Sequence, residues 1–292
     1  MVSVLIVNWN TRDLLRACLQ SIAAHCASTP HEVIVVDNAS ADGSAAMVAA
    51  EFPEVLLIAS SRNTGYAAGN NLAAAQARGD YLLTLNPDTE FVDDALASAS
   101  RALAARPSAG ALGARLLNPD GSAQRSVRGF PSILGVLGAV TGLDRVARGP
   151  LGSYFLRDFD YETPGPAAQP MGTFLLFRRE ALASAGDPRR PFDESFPIFF
   201  NEVDLLYRMH LAGWPCWYDP SVRVLHHGGQ STRQVRKAMI WESHRSLVRY
   251  LNRHTRGLAR AGLPLAALIA YAGAFVRAKG YDAGFRVERH DL

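Results

Sequence analysis

An α/β fold built on a parallel, doubly wound sheet is predicted from two observations. Apolar, strand-like runs alternate with helix-like segments through the first hundred residues. These runs are continuously apolar, as in strands covered on both faces, and two of them end abruptly at an acidic residue. Open α/β sheets bind ligands at that edge.

The elements follow in order. Residues 2–7 read as a core strand rather than a secretion signal. A helix is expected over residues 11–26, with Leu14, Leu15, Cys18, Leu19 and Ile22 on one face. A strand over 32–36 ends at Asp37-Asn38, and a second helix begins near Asp42. A strand over 55–58 leads through the turn Asn63-Thr64-Gly65 into a helix over about 66–78. The run Tyr81–Leu85 is a strand that Pro87 stops, because proline cannot donate to a ladder. Asp88 is thereby fixed on a turn just past the strand's carboxyl end.

The pattern changes after Arg106. Residues 110–117 read as a strand before the turn Asn118-Pro119-Asp120-Gly121, and residues 126–170 are rich in Gly and Pro with little period. A strand over 171–177, a helix over 202–211, a strand over 222–225 and a long helix over 235–254 complete the reading. The predicted organisation is a domain over 1–230, with two parts that meet at 106/107, followed by a helical extension over 231–292.

The net charge of +3 and the absence of any basic run exclude a nucleic-acid stripe. Cys18, Cys26 and Cys216 are too scattered for a disulfide framework or a Cys-based zinc site, so a reduced, cytoplasmic setting is expected. The apolar stretch 261–276 contains Pro264 and falls short of the ~18 residues of a spanning helix, so no membrane anchor is expected.

Several groups can carry chemistry. Asp88 can hold a divalent cation and so a diphosphate, although Asn-Pro-Asp is also ordinary turn chemistry. Asp37 can accept from a nucleobase or ribose, or can serve a helix N-terminus. Gly65 and Gly69 allow close backbone approach at a helix start, or simply a turn. Glu202 and Asp204 fall on different faces of one helix and so take different roles; Arg208 lies four residues after Asp204 as an ion-pair partner. Of His226 and His227, adjacent at a strand end, only one can face a site.

These segments, in this order, resemble the family 2 glycosyltransferases of the GT-A fold, in their bacterial rhamnosyltransferase-like branch. The resemblance rests on residues 4–10, 35–44, 63–71, 85–89, 172–179, 192–194, 201–205 and 226–231. It implies a Rossmann-like, mostly parallel sheet flanked by helices with a C-terminal helical extension. It also implies transfer of a sugar, as L-rhamnose from dTDP-rhamnose, to a hydroxyl of a glycan or lipid-linked glycan with inversion. Asn86-Pro87-Asp88 stands at the family's D-x-D motif with Asn in first place, which makes Asp88 the principal ligand of Mg²⁺ or Mn²⁺. His226, the first residue of H-x-x-G-x-S, would complete the metal site.

Asn8, Asn10, Asp37, Asn38, Asn63, Gly65, Asn70, Asn86 and Asp88 are implied on the nucleotide-sugar side, and Gly172, Thr173 and Arg128 on the acceptor side. Glu202 falls on the second acid of E-D-x-D-L, the base position, while Asn201 replaces the first acid. Asp204 would hold Arg208 and the acceptor wall. Contact with the inner face of the plasma membrane, and a homodimer through the C-terminal helices, are further expectations. A non-catalytic sugar-binding module on the same fold is the competing reading. An NAD enzyme is disfavoured, because no G-x-G-x-x-G follows the first strand.

Overall fold

A computed structural model describes residues 1–146 and 149–282. The last ten residues of the expected extension lie outside the described residues. The elements are β1 (Val2–Asn8), α1 (Arg12–His25), β2 (His31–Asp37), α2 (Ser44–Glu51), β3 (Leu56–Ala59), α3 (Tyr66–Gln76), β4 (Tyr81–Leu85), β5 (Thr89–Phe91), α4 (Ala95–Ala104) and β6 (Ala111–Leu117). They continue with β7 (Val127–Arg128), α5 (Ile133–Thr141), β8 (Gly165–Pro166), β9 (Gln169–Pro170), β10 (Phe174–Arg178), α6 (Arg179–Ala185), α7 (Asn201–Leu211), β11 (Cys216–His226), α8 (Gln230–Arg233), α9 (Arg236–His254) and α10 (Leu263–Asp282).

The main sheet is mixed, nine-stranded and flanked by helices, in the order β3-β2-β1-β4-β10-β6-β11-β5 with β8 beside β11. Its first four strands are parallel, as the alternation predicts. β10 enters antiparallel between β4 and β6, and the edge strand β5 is antiparallel to β11. The insertion of β10 brings Thr173 to the end of β4, where Asn86 emerges.

Period-two alternation splits β1 between two cores. Val4 and Ile6 pack with α1, α2 and α4 on one face, and Leu5 and Val7 pack with α3, α6 and α7 on the other. Both sets are buried, which is why residues 4–7 are all apolar; the flanking Ser3 and Asn8 are buried too and are hydrogen-bonded to Glu32 and Asp37. Truncating Ile6 or Leu83 to Ala would cost about 3 kcal/mol by cavity formation. Gly69 has no side chain where α3 crosses β1; a Cβ there would lie 2.7 Å from Val7 Cγ1.

Two sequence expectations change. The poorly patterned segment holds α5, whose glycines admit close neighbours: a Cβ at Gly138 would lie 2.0 Å from the Leu151 carbonyl oxygen. The apolar stretch near the C-terminus is longer than expected. Pro264 sits in the first turn of α10, where its missing N–H is unneeded, so it does not interrupt the helix. The segment Gly257–Gly280 is long and apolar enough, by length and composition, to cross a membrane.

Candidate functional site

The ends of β1 and β2 form one corner of the site. Asn8 lies opposite Asp37 in the parallel register, and Asn8 Nδ2 donates to Asp37 Oδ1 at 2.9 Å. The Ser40 amide donates to Asp37 Oδ2 at 3.0 Å, and Thr11 Oγ1 donates to Asn8 Oδ1 at 2.7 Å. Each Asp37 oxygen keeps a lone pair for a ligand hydroxyl. Asn10 Oδ1 accepts from the Ala41 amide at 2.8 Å. Asn10 and Ala39 hold φ of 52° and 62°, strain of the kind found at functional loops. A cavity of about 570 Å³ lies beside this corner, lined by Asn10, Thr11, Asp42, Arg233 and Gln234 among others. It contains neither Asp88, which stands just past the end of β4, nor Glu202, which stands in the first turn of α7.

The turn before α3 is held by two of the expected residues. Asn38 Oδ1 accepts from the Thr64 amide at 2.9 Å, Asn38 Nδ2 donates to the Gly65 carbonyl at 3.0 Å, and Asn63 Oδ1 accepts from the Gly65 amide at 2.9 Å. Gly65 has φ of 88°, and a Cβ there would lie 2.7 Å from the Pro197 carbonyl oxygen. The turn is therefore pressed against the segment that leads into α7. Asn70 is buried and donates to the Tyr66 carbonyl at 3.0 Å.

Asp88 and His226 meet across the ends of β4 and β11. His226 Nε2 lies 3.5 Å from Asp88 Oδ1 and 3.5 Å from Thr173 Oγ1. The Asn86 amide donates to the Thr173 carbonyl at 3.0 Å, and Asn86 Nδ2 lies 3.5 Å from Thr173 Oγ1. Gln124 fixes the imidazole. Its Nε2 donates to the His226 carbonyl and to Asn118 Oδ1, both at 2.9 Å, so its Oε1 is left to face His226 Nδ1 at 2.9 Å. An amide oxygen only accepts, so Nδ1 donates to Gln124 and Nε2 is the ring nitrogen turned toward Asp88. Metal-binding imidazoles are oriented in this way. His227 pairs instead with Glu90 at 2.6 Å.

The oxygen and nitrogen donors of Asp88 and His226 fit Mn²⁺ or Mg²⁺. No group of three or more His, Cys, Asp or Glu converges among the described residues. The protein would thus supply these two ligands, and a diphosphate would supply others.

Glu202 stands in the first turn of α7, behind Phe200, whose φ is 67°. Gly172 leaves room for it: a Cβ there would lie 3.2 Å from Glu202 Cγ. Burial pushes the Glu202 carboxyl up to about 7, against the opposing pull of backbone amides and the Arg128 guanidinium. The Tyr66 hydroxyl donates to the Gly172 carbonyl at 3.3 Å. Burial, and the nearby charges of Glu202 and Asp88, raise the Tyr66 phenol above its ordinary range. Arg128 lies over the rings of Tyr154 and Phe155, 5.8 and 5.4 Å from their centroids.

Asp204 is wholly buried and faces other partners. It accepts from Arg208 Nε and His254 Nε2, each at 2.8 Å, with Arg253 at 3.5 Å. Burial raises its pKa, but the His254 and Arg208 bonds outweigh that and hold it low. These bonds stabilise the fold above the ordinary carboxylate range, and that contribution is lost as pH falls below that range through the lowered pKa of Asp204. Asp204→Ala should cost about 3 kcal/mol, because it leaves the half-buried Arg208 guanidinium and the His254 ring without their acceptor. Urea denaturation checks this, and wild-type stability would refute the structural role.

Two site residues were not picked out from the sequence, Tyr66 and Gln124. Tyr66 lay inside the noticed segment 63–71, and its position at the helix start was the available signal. Gln124 follows a turn and had none.

Residues 3–185 match the model of the family described as Glycosyl transferase family 2. The N-acetylglucosaminyl-diphospho-decaprenol L-rhamnosyltransferase of Mycobacterium tuberculosis is 32% identical over 250 residues, 80% of this chain and 78% of that protein. An O-antigen biosynthesis protein of Myxococcus xanthus is 29% identical over 83% of this chain, which spans only 19% of it. Among solved structures, a mannosyltransferase of Pyrobaculum calidifontis with GDP-Man and Mn²⁺ superposes with a TM-score of 0.57 at 20% identity, over 96% of this chain and 75% of that one. Residues 1–349 of S. aureus TarS with UDP give 0.53 at 17% identity, over 90% and 74%. At such identities the structural likeness is one of fold.

Proposed function

This chain belongs to glycosyl transferase family 2, and from that premise we propose that it moves L-rhamnose from dTDP-rhamnose to a hydroxyl of an N-acetylglucosaminyl-diphospholipid, with inversion, at the cytoplasmic face of the membrane. The observation that carries the reading is geometric: Asp88 and His226 meet at 3.5 Å across the ends of β4 and β11, Thr173 stands 3.5 Å from the same imidazole, and its neighbour Gly172 packs on Glu202. The mycobacterial relative, named for rhamnosyl transfer to a decaprenol-linked acceptor, supports the choice of sugar and lipid. The GDP-Man and Mn²⁺ bound in one structural neighbour and the UDP bound in another support a metal and a diphosphate donor.

In this reading Asp88 and His226 hold a divalent cation, which when bound neutralises charge on the leaving diphosphate. Asp37 and Asn8 take the nucleoside. Glu202 accepts the proton of the acceptor hydroxyl as the oxygen bonds to the anomeric carbon and the bond to the diphosphate breaks. A single displacement of this kind inverts the centre. Arg128 and the rings beneath it receive the acceptor beside Glu202.

A thermal-shift screen of dTDP-, UDP- and GDP-sugars, with and without Mn²⁺, tests the donor. Saturating dTDP-rhamnose with Mn²⁺ should raise the Tm by about 5 °C. A shift with UDP- or GDP-sugars alone would contradict the donor, and no shift under any condition would contradict the site.

A further inference from the structure

α10 is sorted by side-chain size. Ala266, Ala270, Ala274 and Ala278 are buried, and α10 packs along α9. Leu265, Leu268, Tyr271, Phe275 and Val276 are exposed on the opposite side, Leu268 at 66% and Val276 at 69%. A helix that tucks its small residues inward and turns its bulk outward gains little from the hydrophobic effect as it stands. The surface extends to α5, which packs on α10 and exposes Leu134 and Val140.

Charge says what fits there. Residues 256–280 carry Arg256, Arg260, Arg277 and Lys279 and no acid, whereas Arg253 of α9 is paired with Asp193 and Asp204 and lies away from this face. Arg256 and Arg260 lie at one end of the apolar face and Lys279 at the other, while Arg277 turns toward His244 of α9. Two copies meeting through this face would bring like charges together. An anionic lipid surface meets both features: apolar side chains enter the acyl boundary, and basic residues meet headgroups.

We propose that the outer face of α10 docks this protein on an anionic membrane, with the helix lying in the plane of the interface rather than crossing it. Crossing would draw α9, with its several arginines, into hydrocarbon or strip it from the alanine face. This inference does not rest on the proposed sugar or acceptor.

Flotation of the purified full chain with vesicles tests it. Binding is expected to equimolar phosphatidylcholine and phosphatidylglycerol and not to phosphatidylcholine alone. The bound fraction should fall with added NaCl, and alkaline carbonate should release the protein. The triple variant L268S/F275S/V276S should bind at least about tenfold more weakly with an unchanged Tm. The pair Arg256→Glu and Lys279→Glu should lose the preference for anionic lipid, whereas Glu202→Gln should float as wild type. Retention after carbonate would overturn the in-plane placement. Unchanged flotation of the triple variant, or a dimer that it converts to monomer without vesicle binding by wild type, would overturn the lipid assignment.

Discussion

Replacing Glu202 with Gln should lower kcat by about 10³-fold while leaving donor binding in place. The side chain keeps its size and its fit against Gly172, so the loss is that of a proton acceptor. The same variant should be more stable than wild type at alkaline pH. Folding raises this carboxyl from its ordinary 4.5 to about 7, so the folded chain holds the proton more tightly than the unfolded one. Stability is therefore lost as pH rises from 4.5 through about 7, and glutamine escapes that loss. A drop in activity with a gain in Tm separates a functional residue from a structural one. Asp204→Ala should do the reverse, with its main cost in stability. If Glu202→Gln kept wild-type turnover, the base would lie elsewhere.

The second large effect is expected at Asp88. Asp88→Ala should reduce kcat/KM by about 10³-fold, and the residual activity should no longer respond to Mn²⁺. The strand before it is buried on both faces and does not depend on this carboxylate, so the fold should survive. Titrating Mn²⁺ against initial rate for wild type and variant checks this. An undiminished metal response in the variant would remove Asp88 from the metal site.

Much of this was legible in the sequence, for physical reasons. Strands buried on both faces write themselves as apolar runs, so β1, β2 and β4 stood out, and Pro87 marked where β4 had to stop. Their polar ends, Asn8, Asp37 and Asp88, followed directly. The insertion of β10 between β4 and β6 was not legible, because pairing partners far apart in the chain leave no local trace. Gln124 was hidden for the same reason: its role arises from its contact with His226, 102 positions away. Pro264 misled the reading of α10, since proline ends a helix from its interior but is harmless in the first turn. The size-sorting of that helix was invisible too, because alanine and leucine count alike in an apolar run and only packing tells them apart.

The central claim is that Glu202 is the base of a sugar transfer. The pH dependence of kcat/KM, measured with purified wild type and Glu202→Gln at saturating metal, tests it most directly. Wild type should lose activity below a midpoint at about 7 as the carboxyl protonates, and the variant's residual rate should show no such limb. The same acid limb in both proteins would contradict the account.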